Sequence, residues 1–239
     1  MLELEHGFRV VDCHVQVEPD EHRRPRDAGD PEQVEREMQQ AGIVRSLVFP
    51  AAREAGYVSA NNAVARMAVE RPMVAAARIT GSREPETSAP ARLRNIARSR
   101  ADHHTAPAEI EQYAYKDRFA AFVLNPTNDG LPDSEVVEAL DAAGRPVLIY
   151  GGQGCPPEVI EAALLGRDFP VVIAHCGGYP LDEERTHETI DLLDEYENCF
   201  VDTSFVRFRD PLERAVMEHP DRVLFGSGAP AAHPNVAVM

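Results

Sequence analysis

The chain predicts a single α/β domain with the architecture of a (β/α)8 barrel over residues 1–239, and three observations carry that reading. A chain of 239 residues suits one well-buried core and is an ordinary length for one barrel. Eight short apolar, β-branched runs recur along it. Between them lie amphipathic stretches with helix-type ends, the alternation that builds a parallel sheet.

The first run is Phe8 to Val17. Asp30 followed by Pro31 reads as an N-cap and first helical residue, and that helix passes Val34 and Met38 to a stop at Gly42. The second run, Ile43 to Phe49, precedes a helix from Ser59 that ends before Pro72, and the third is Val74 to Ile79. A long connection follows, Thr80 to Lys116, with Pro85, Pro90 and Pro107, a basic amphipathic piece from Arg92 to Arg100, and the pair His103 and His104. A connection of this length is a functional lid, a partner-binding insertion or a solvated surface excursion.

The fourth run is Phe119 to Leu124, after which Asp133 starts a helix that stops at Gly144. Pro146 to Tyr150 is the fifth, followed by a helix opened by Pro156 and Pro157 and closed at Gly166. The sixth, Pro170 to His175, leads to a helix opened by Asp182. The seventh, Cys199 to Ser204, leads to one opened by Asp210 and Pro211 that ends before Pro220. Arg222 to Phe225 is the eighth, and the sequence then stops at Met239 with no room for a last helix. The expectation is an apolar flank on the eighth and first strands, left by truncation or covered by another chain, a second copy included.

Charge sets the function classes. Forty acidic residues against 24 basic ones give a net charge of −16, and Lys116 is the only lysine. Such a surface suits a protein of a salt-accumulating cell, where screening cancels self-repulsion; the alternative is an ordinary acidic cytosolic protein. Either way the field repels nucleic acid and anionic membrane, so neither is an expected partner. No apolar run approaches the ~18 residues of a spanning helix, and the N-terminus lacks the pattern of a signal peptide, so a cytoplasmic protein is expected. Cys13, Cys155, Cys176 and Cys199 are scattered without CxxC spacing, which signals neither a structural zinc site nor a disulfide framework.

In a barrel of this kind the chemistry sits at the carboxyl ends of the strands. Asp12, His14 and Gln16 alternate along the first run and share one side, with Cys13 and Val15 on the other. His175 closes the apolar VVIAHCGG, Asp202 with Thr203 and Ser204 closes the seventh run, and the eighth ends FGSGAP. The glycines at 151–154 and 177–178 do not form a phosphate-binding fingerprint, and neither Ser204 nor Ser227 lies in a nucleophile elbow.

These segments resemble the amidohydrolase superfamily, in its branch of small barrel hydrolases and decarboxylases. VDCHVQ is similar to a D-x-H-x-H first strand, AGIVRSLVFP to the second, PVLIYGG to P-V-L-I-H-x-G, VVIAHCGG to the sixth, NCFVDTS to the seventh and RVLFGSGAP to F-G-S-D-x-P. The resemblance runs from Val10 to about Pro230. It implies a divalent metal, zinc or similar, held by His and carboxylate groups and activating a water that attacks an ester, amide or related carbon.

The departures fall on the site. Gln16 replaces the second histidine of the pair, Val123 stands where many relatives carry a lysine or acidic ligand, Tyr150 replaces a histidine, and Gly228 replaces the eighth-strand aspartate that serves as ligand and base. What the resemblance leaves is an incomplete metal set of His14, Gln16 and His175, with Asn125, Tyr150 and Asp202 around the substrate and no assigned catalytic residue. Asp202, or His103, His104, His187 or His233 folded over the mouth, would be the repair. Tyr150 either donates a hydrogen bond to a carboxylate or carbonyl or fills the space vacated by the metal, and Asp12 is expected to bond backbone. Two functions follow: a metal-dependent hydrolase or lyase of a small organic substrate, and a barrel without catalysis that serves as a binding or assembly subunit.

Overall fold

The computed structural model describes residues 9–19, 29–53, 56–86, 88, 90, 93–95 and 98–234. Its strands are β1 (Val10–Val17), β2 (Ile43–Pro50), β3 (Met73–Arg78), β4 (Ala121–Leu124), β5 (Val147–Gly152), β6 (Val171–Tyr179), β7 (Cys199–Asp202) and β8 (Val223–Leu224). All eight pair in parallel in sequence order. The last edge is joined to the first: Cys13 N–H donates to the Phe225 carbonyl at 2.9 Å, Gln16 N–H to Ala229 at 2.8 Å, and Gly228 N–H to His14 at 3.1 Å. Asp12, fully buried, adds a stitch across the same seam by accepting Ser227 N–H and His14 N–H, each at 3.0 Å. The result is a (β/α)8 barrel.

Helices α1 (Pro31–Gln40), α2 (Val58–Ala68), α3 (Pro107–Ala114), α4 (Pro126–Asp129), α5 (Ser134–Ala143), α6 (Pro157–Leu164), α7 (Glu183–Glu195) and α8 (Arg209–Glu218) are described between them. Three of the expected caps form, because a short side-chain acceptor reaches an orphan N–H of the first turn: Asp30 to Gln33, Asp133 to Val136 and Asp182 to Arg185. Gly144 closes α5 in the left-handed conformation expected of it. One cap is corrected. The residue preceding α8 is Phe208, without a side-chain cap, and Asp210 lies inside the first turn. A carboxylate is stabilised there by the helix dipole, and Pro211 fits because first-turn N–H groups have no intrahelical partner.

Alternation sorts the core into two layers. Phe49, Ala76, Ala121, Val123, Leu148 and Val172 fill the barrel interior, and the larger cluster lies between sheet and helices. Val123 therefore sits in packed apolar core below the mouth. On the outside of β1 and β2, Val11 is 54% and Val44 45% exposed, while Val223 and Phe225 are half-buried. The expected start of the first strand at Phe8 lies outside the described residues, as do residues 235–239.

The long connection is clipped at its ends. Thr80 N–H donates to Thr105 Oγ at 3.0 Å, Thr80 Oγ donates to the His103 carbonyl at 2.9 Å, and Ile110 and Tyr113 bury one side of α3. Arg100 binds both carboxylate oxygens of Asp133 at 2.8 Å. The basic piece from 92 to 100 falls partly outside the described residues, which there include a helical stretch over 93–95. No helix among the described residues is long and apolar enough to cross a membrane.

Candidate active site at the barrel mouth

His14 and Gln16 reach the mouth from β1, Tyr150 from β5, His175 from β6 and Asp202 from β7. By alternation Val172 and Ala174 point inward and His175 should point out. His175 and Cys176 instead take φ of 63° and 44°, and that left-handed step turns the imidazole into the mouth, its ring centroid 5.1 Å from both His14 and Tyr150. Phe205, with φ of 55°, is the third such non-glycine residue near the mouth, the other two among the described residues being Lys116 and Asp117 in the turn before β4. Each such residue costs on the order of 1–3 kcal/mol, and strain of this kind gathers where geometry serves a site.

Asp202 is the hub and has no exposure. Oδ1 accepts His175 N–H at 3.0 Å, Ser204 N–H at 2.9 Å and the Ser204 hydroxyl, while Oδ2 lies 2.8 Å from His14 Nδ1. A carboxylate only accepts, so His14 carries its proton on Nδ1 and presents a lone pair at Nε2. Tyr150 OH lies 2.8 Å from that Nε2 and donates to it, while Gln16 Nε2 donates to the Tyr150 oxygen at 2.7 Å. Gly226 permits the approach: a Cβ there would stand 3.0 Å from His14 Cβ and 3.1 Å from Asp202 Cγ.

Burial pushes the Asp202 carboxyl up, but the attraction of His14, its hydrogen bond and the attraction of His175 together hold it below the ordinary carboxylate range. Burial raises the Tyr150 hydroxyl far above its usual value, so it rests protonated. His175 Nδ1 is 2.7 Å from Ser204 Oγ and 3.2 Å from the Ser204 carbonyl, which leaves Nε2 open. Burial drives the His175 pKa down to about 4, against the attraction of Asp202 and with help from His14.

That shift sets a pH window. A histidine of depressed folded pKa contributes stability that is complete above the unfolded value near 6.5 and is lost as pH falls toward about 4, a change of about 3 kcal/mol at most. Asp202, also depressed, loses its contribution lower, below about 4. Chemical denaturation of His175→Gln against the parent should therefore show a flattened pH slope between about 6.5 and 4, and an unchanged slope would contradict the buried neutral imidazole.

A cavity of about 320 Å³ opens above these groups, lined by His14, Gln16, Asn125, Tyr150 and His175, with Phe205 and Tyr179 at its aromatic side. Asn128 and Gln153 add further amides, and no Arg, Lys, Asp or Glu is among its lining residues. Asp202 acts from beneath, through His14. The other proposed repairs do not reach: His103 and His104 line a second cavity beyond Thr127 and Asn128, His187 is on α7, and His233 follows β8 outside the lining. Sequence did not single out as site residues Ser204, which holds His175, or the lining residues Asn128, Gln153, Tyr179 and Phe205.

The chain matches the amidohydrolase family over residues 11–236. It belongs to that family. No curated protein matches it. Among solved structures, an uncharacterised TIM-barrel protein from Bordetella bronchiseptica superposes with a TM-score of 0.64 at 15% identity, covering 97% of this chain and 89% of its own. A probable 2-pyrone-4,6-dicarboxylic acid hydrolase from Acinetobacter baumannii, with citric acid bound, gives 0.60 at 12% identity, with 96% and 87% covered. Amidohydrolase 2 from Bifidobacterium longum subsp. infantis gives 0.58 at 15%, with 93% and 84% covered. At these identities the likeness is one of fold.

Amidohydrolases usually hold a divalent ion, and His14, His175 and Asp202 are the group here whose donor atoms lie within 4.8 Å of one another among the described residues. Most of their donor atoms are nevertheless engaged with one another or with neighbouring groups. Both nitrogens of His14 are in hydrogen bonds, Asp202 Oδ1 accepts three and Oδ2 already holds His14, the amide oxygen of Gln16 is a weak neutral ligand, and His175 Nε2 is the one imidazole nitrogen of the group left open. At position 228 a Cβ would lie 2.4 Å from Phe205 Cε2, so the space beside the missing aspartate is filled by a ring. The donor set does not fit a tightly held ion, which needs about three free ligands.

Proposed function

We propose that this amidohydrolase acts as a hydrolase, or a lyase, on a small uncharged polar organic molecule bound at the barrel mouth. The observation that carries the reading is the cavity itself: three groups able to move or hold a proton, His14, Tyr150 and His175, converge on it, and its remaining polar surface is amide, hydroxyl and backbone. A formal charge on the ligand would meet no partner there, and desolvating it unpaired costs several kcal/mol. Side-chain amides offer donor and acceptor together, which suits a neutral carbonyl compound such as an ester, lactone or amide.

The test is a turnover screen of small neutral esters, lactones and amides beside the corresponding carboxylates. Neutral compounds should be preferred by at least about tenfold, a difference of about 1.4 kcal/mol. His175→Ala should raise KM, since Nε2 is the open acceptor at the cavity wall. Preference for the carboxylates would overturn the uncharged-substrate reading. Binding of neutral compounds with no turnover would leave the second reading, a binding subunit, which Gly228 and the Phe205 ring beside it favour.

We also read the acidic, lysine-poor surface as adapted to salt. The melting temperature should rise as KCl increases from about 0.1 to 1 M, where the Debye length shrinks from about 10 to 3 Å. A flat or falling profile in scanning calorimetry would remove that reading.

A further inference from the structure

We propose that the hydrogen-bonded chain Asp202, His14 and Tyr150 takes the place of the metal ion, with His14 holding no ion and the Tyr150 oxygen as the atom through which the proton of an attacking water moves. The inference deepens the hydrolase reading and rests on it. Three observations carry it. The chain is continuous, at 2.8 Å between Asp202 and His14 and 2.8 Å between His14 and Tyr150. Its outer end faces the cavity, with Gln16 Nε2 fixed on the tyrosine oxygen at 2.7 Å. Tyr150 stands on the fifth strand where the resembling pattern has a histidine, and the same hydroxyl that fills that place consumes the lone pair of His14 that a metal would need.

The arrangement has the logic of a reacting hydroxyl, an imidazole base and an orienting carboxylate. For a neutral ester, water attacks the carbonyl carbon, forming the new C–O bond while the carbonyl π pair moves onto oxygen. The water proton passes to the Tyr150 oxygen as the tyrosine proton passes to His14 Nε2, and Asp202 stabilises the imidazolium. On collapse the bond to the leaving oxygen breaks with its electron pair, that oxygen takes a proton from Tyr150, and His14 returns its own. Acid and alcohol leave, and the protein is unchanged. Tyr150 is the catalytic residue here. Asp202 is a positioning residue acting through His14.

The experiment pairs ion titration with turnover on the full chain. Zinc and manganese are titrated calorimetrically into the parent and Tyr150→Phe, and hydrolysis of the best neutral ester is followed with chelator present. The parent should take up neither ion stoichiometrically and should turn over under chelation. Tyr150→Phe should lose at least about 100-fold in turnover and, with His14 Nε2 freed, bind zinc at least about tenfold more tightly. Asp202→Asn should shift the pH profile of kcat/KM with KM little changed. If Tyr150→Phe does not fold, His14→Gln takes its place for turnover, with the same loss expected.

One equivalent of ion on the parent, or full turnover in Tyr150→Phe, would overturn the proposal. Absence of turnover on every neutral compound would instead defeat the hydrolase reading and the proton path with it. The ion titration then still decides whether the hydrogen-bonded chain has replaced the metal.

Discussion

Gly228→Asp, which restores the carboxylate of the resembling eighth-strand pattern, is expected to lower the melting temperature by about 6–12 °C. Two costs add. Position 228 has φ of +73°, a conformation that strains any L side chain. A Cβ there would also meet Phe205 Cε2 at 2.4 Å and Cζ at 2.9 Å, so the ring must move out of a place it holds with its own left-handed backbone. Overpacking and backbone strain together come to about 3 kcal/mol, and a chain of this length loses about 2–4 °C for each. The check is a double-mutant cycle with Phe205→Ala, in which the cost of Gly228→Asp should fall by more than half because only the backbone term remains. Additive costs would mean that the ring is not what bars the carboxylate. Loss of the aspartate and occupation of its space are thus one change in two parts, and single reversion does not rebuild a metal site.

Most of the barrel was legible because a parallel strand buried on both faces reads as an unbroken apolar run, and the caps that separate the runs act locally. All eight runs fall on strands, and the stops at Gly42 and Gly144 fall just beyond helices α1 and α5. The cap at Asp210 was misplaced because Pro211 is tolerated at more than one first-turn position. For the site, period-two alternation was enough to bring His14 and Gln16 of β1 to one face. It gives the wrong direction for His175, whose ring enters the mouth only through a φ of 63° that no residue type announces. Ser204 belongs to the same class of omission, since its role depends on where that imidazole is turned. His103 and His104 are a true pair, 4.1 Å between centroids, yet they face a neighbouring cavity. Sequence proximity to a barrel mouth does not decide which hollow a loop lines.

Arg78→Leu is expected to destabilise the protein by about 3–5 kcal/mol, although Arg78 lies outside the cavity lining. Arg78 closes β3, is 1% exposed, and donates Nε–H to Asp129 Oδ2 at 2.8 Å and an Nη1 hydrogen to the Pro50 carbonyl at 3.2 Å. Asn61 brackets its backbone from both sides at 2.9 Å, and Tyr57 donates to the other Asp129 oxygen at 2.6 Å with its ring 5.0 Å from the guanidinium. Removing the cation leaves the buried carboxylate with hydrogen bonds but no counter-charge, which is the costly half of breaking an ion pair. Arg78→Leu combined with Asp129→Leu should cost clearly less than the sum of the single changes, measured by urea unfolding, because neither charge is then stranded. The consequence reaches the site through α4, which Asp129 ends and Asn125 precedes: Asn125, Thr127 and Asn128 form one cavity wall, and the ion pair fixes the turn that carries them. Arg78→Leu should therefore raise KM for the neutral substrate with kcat much less affected. A cycle in which the two costs simply add would show the pair to be dispensable, and the wall would then owe its position to packing alone.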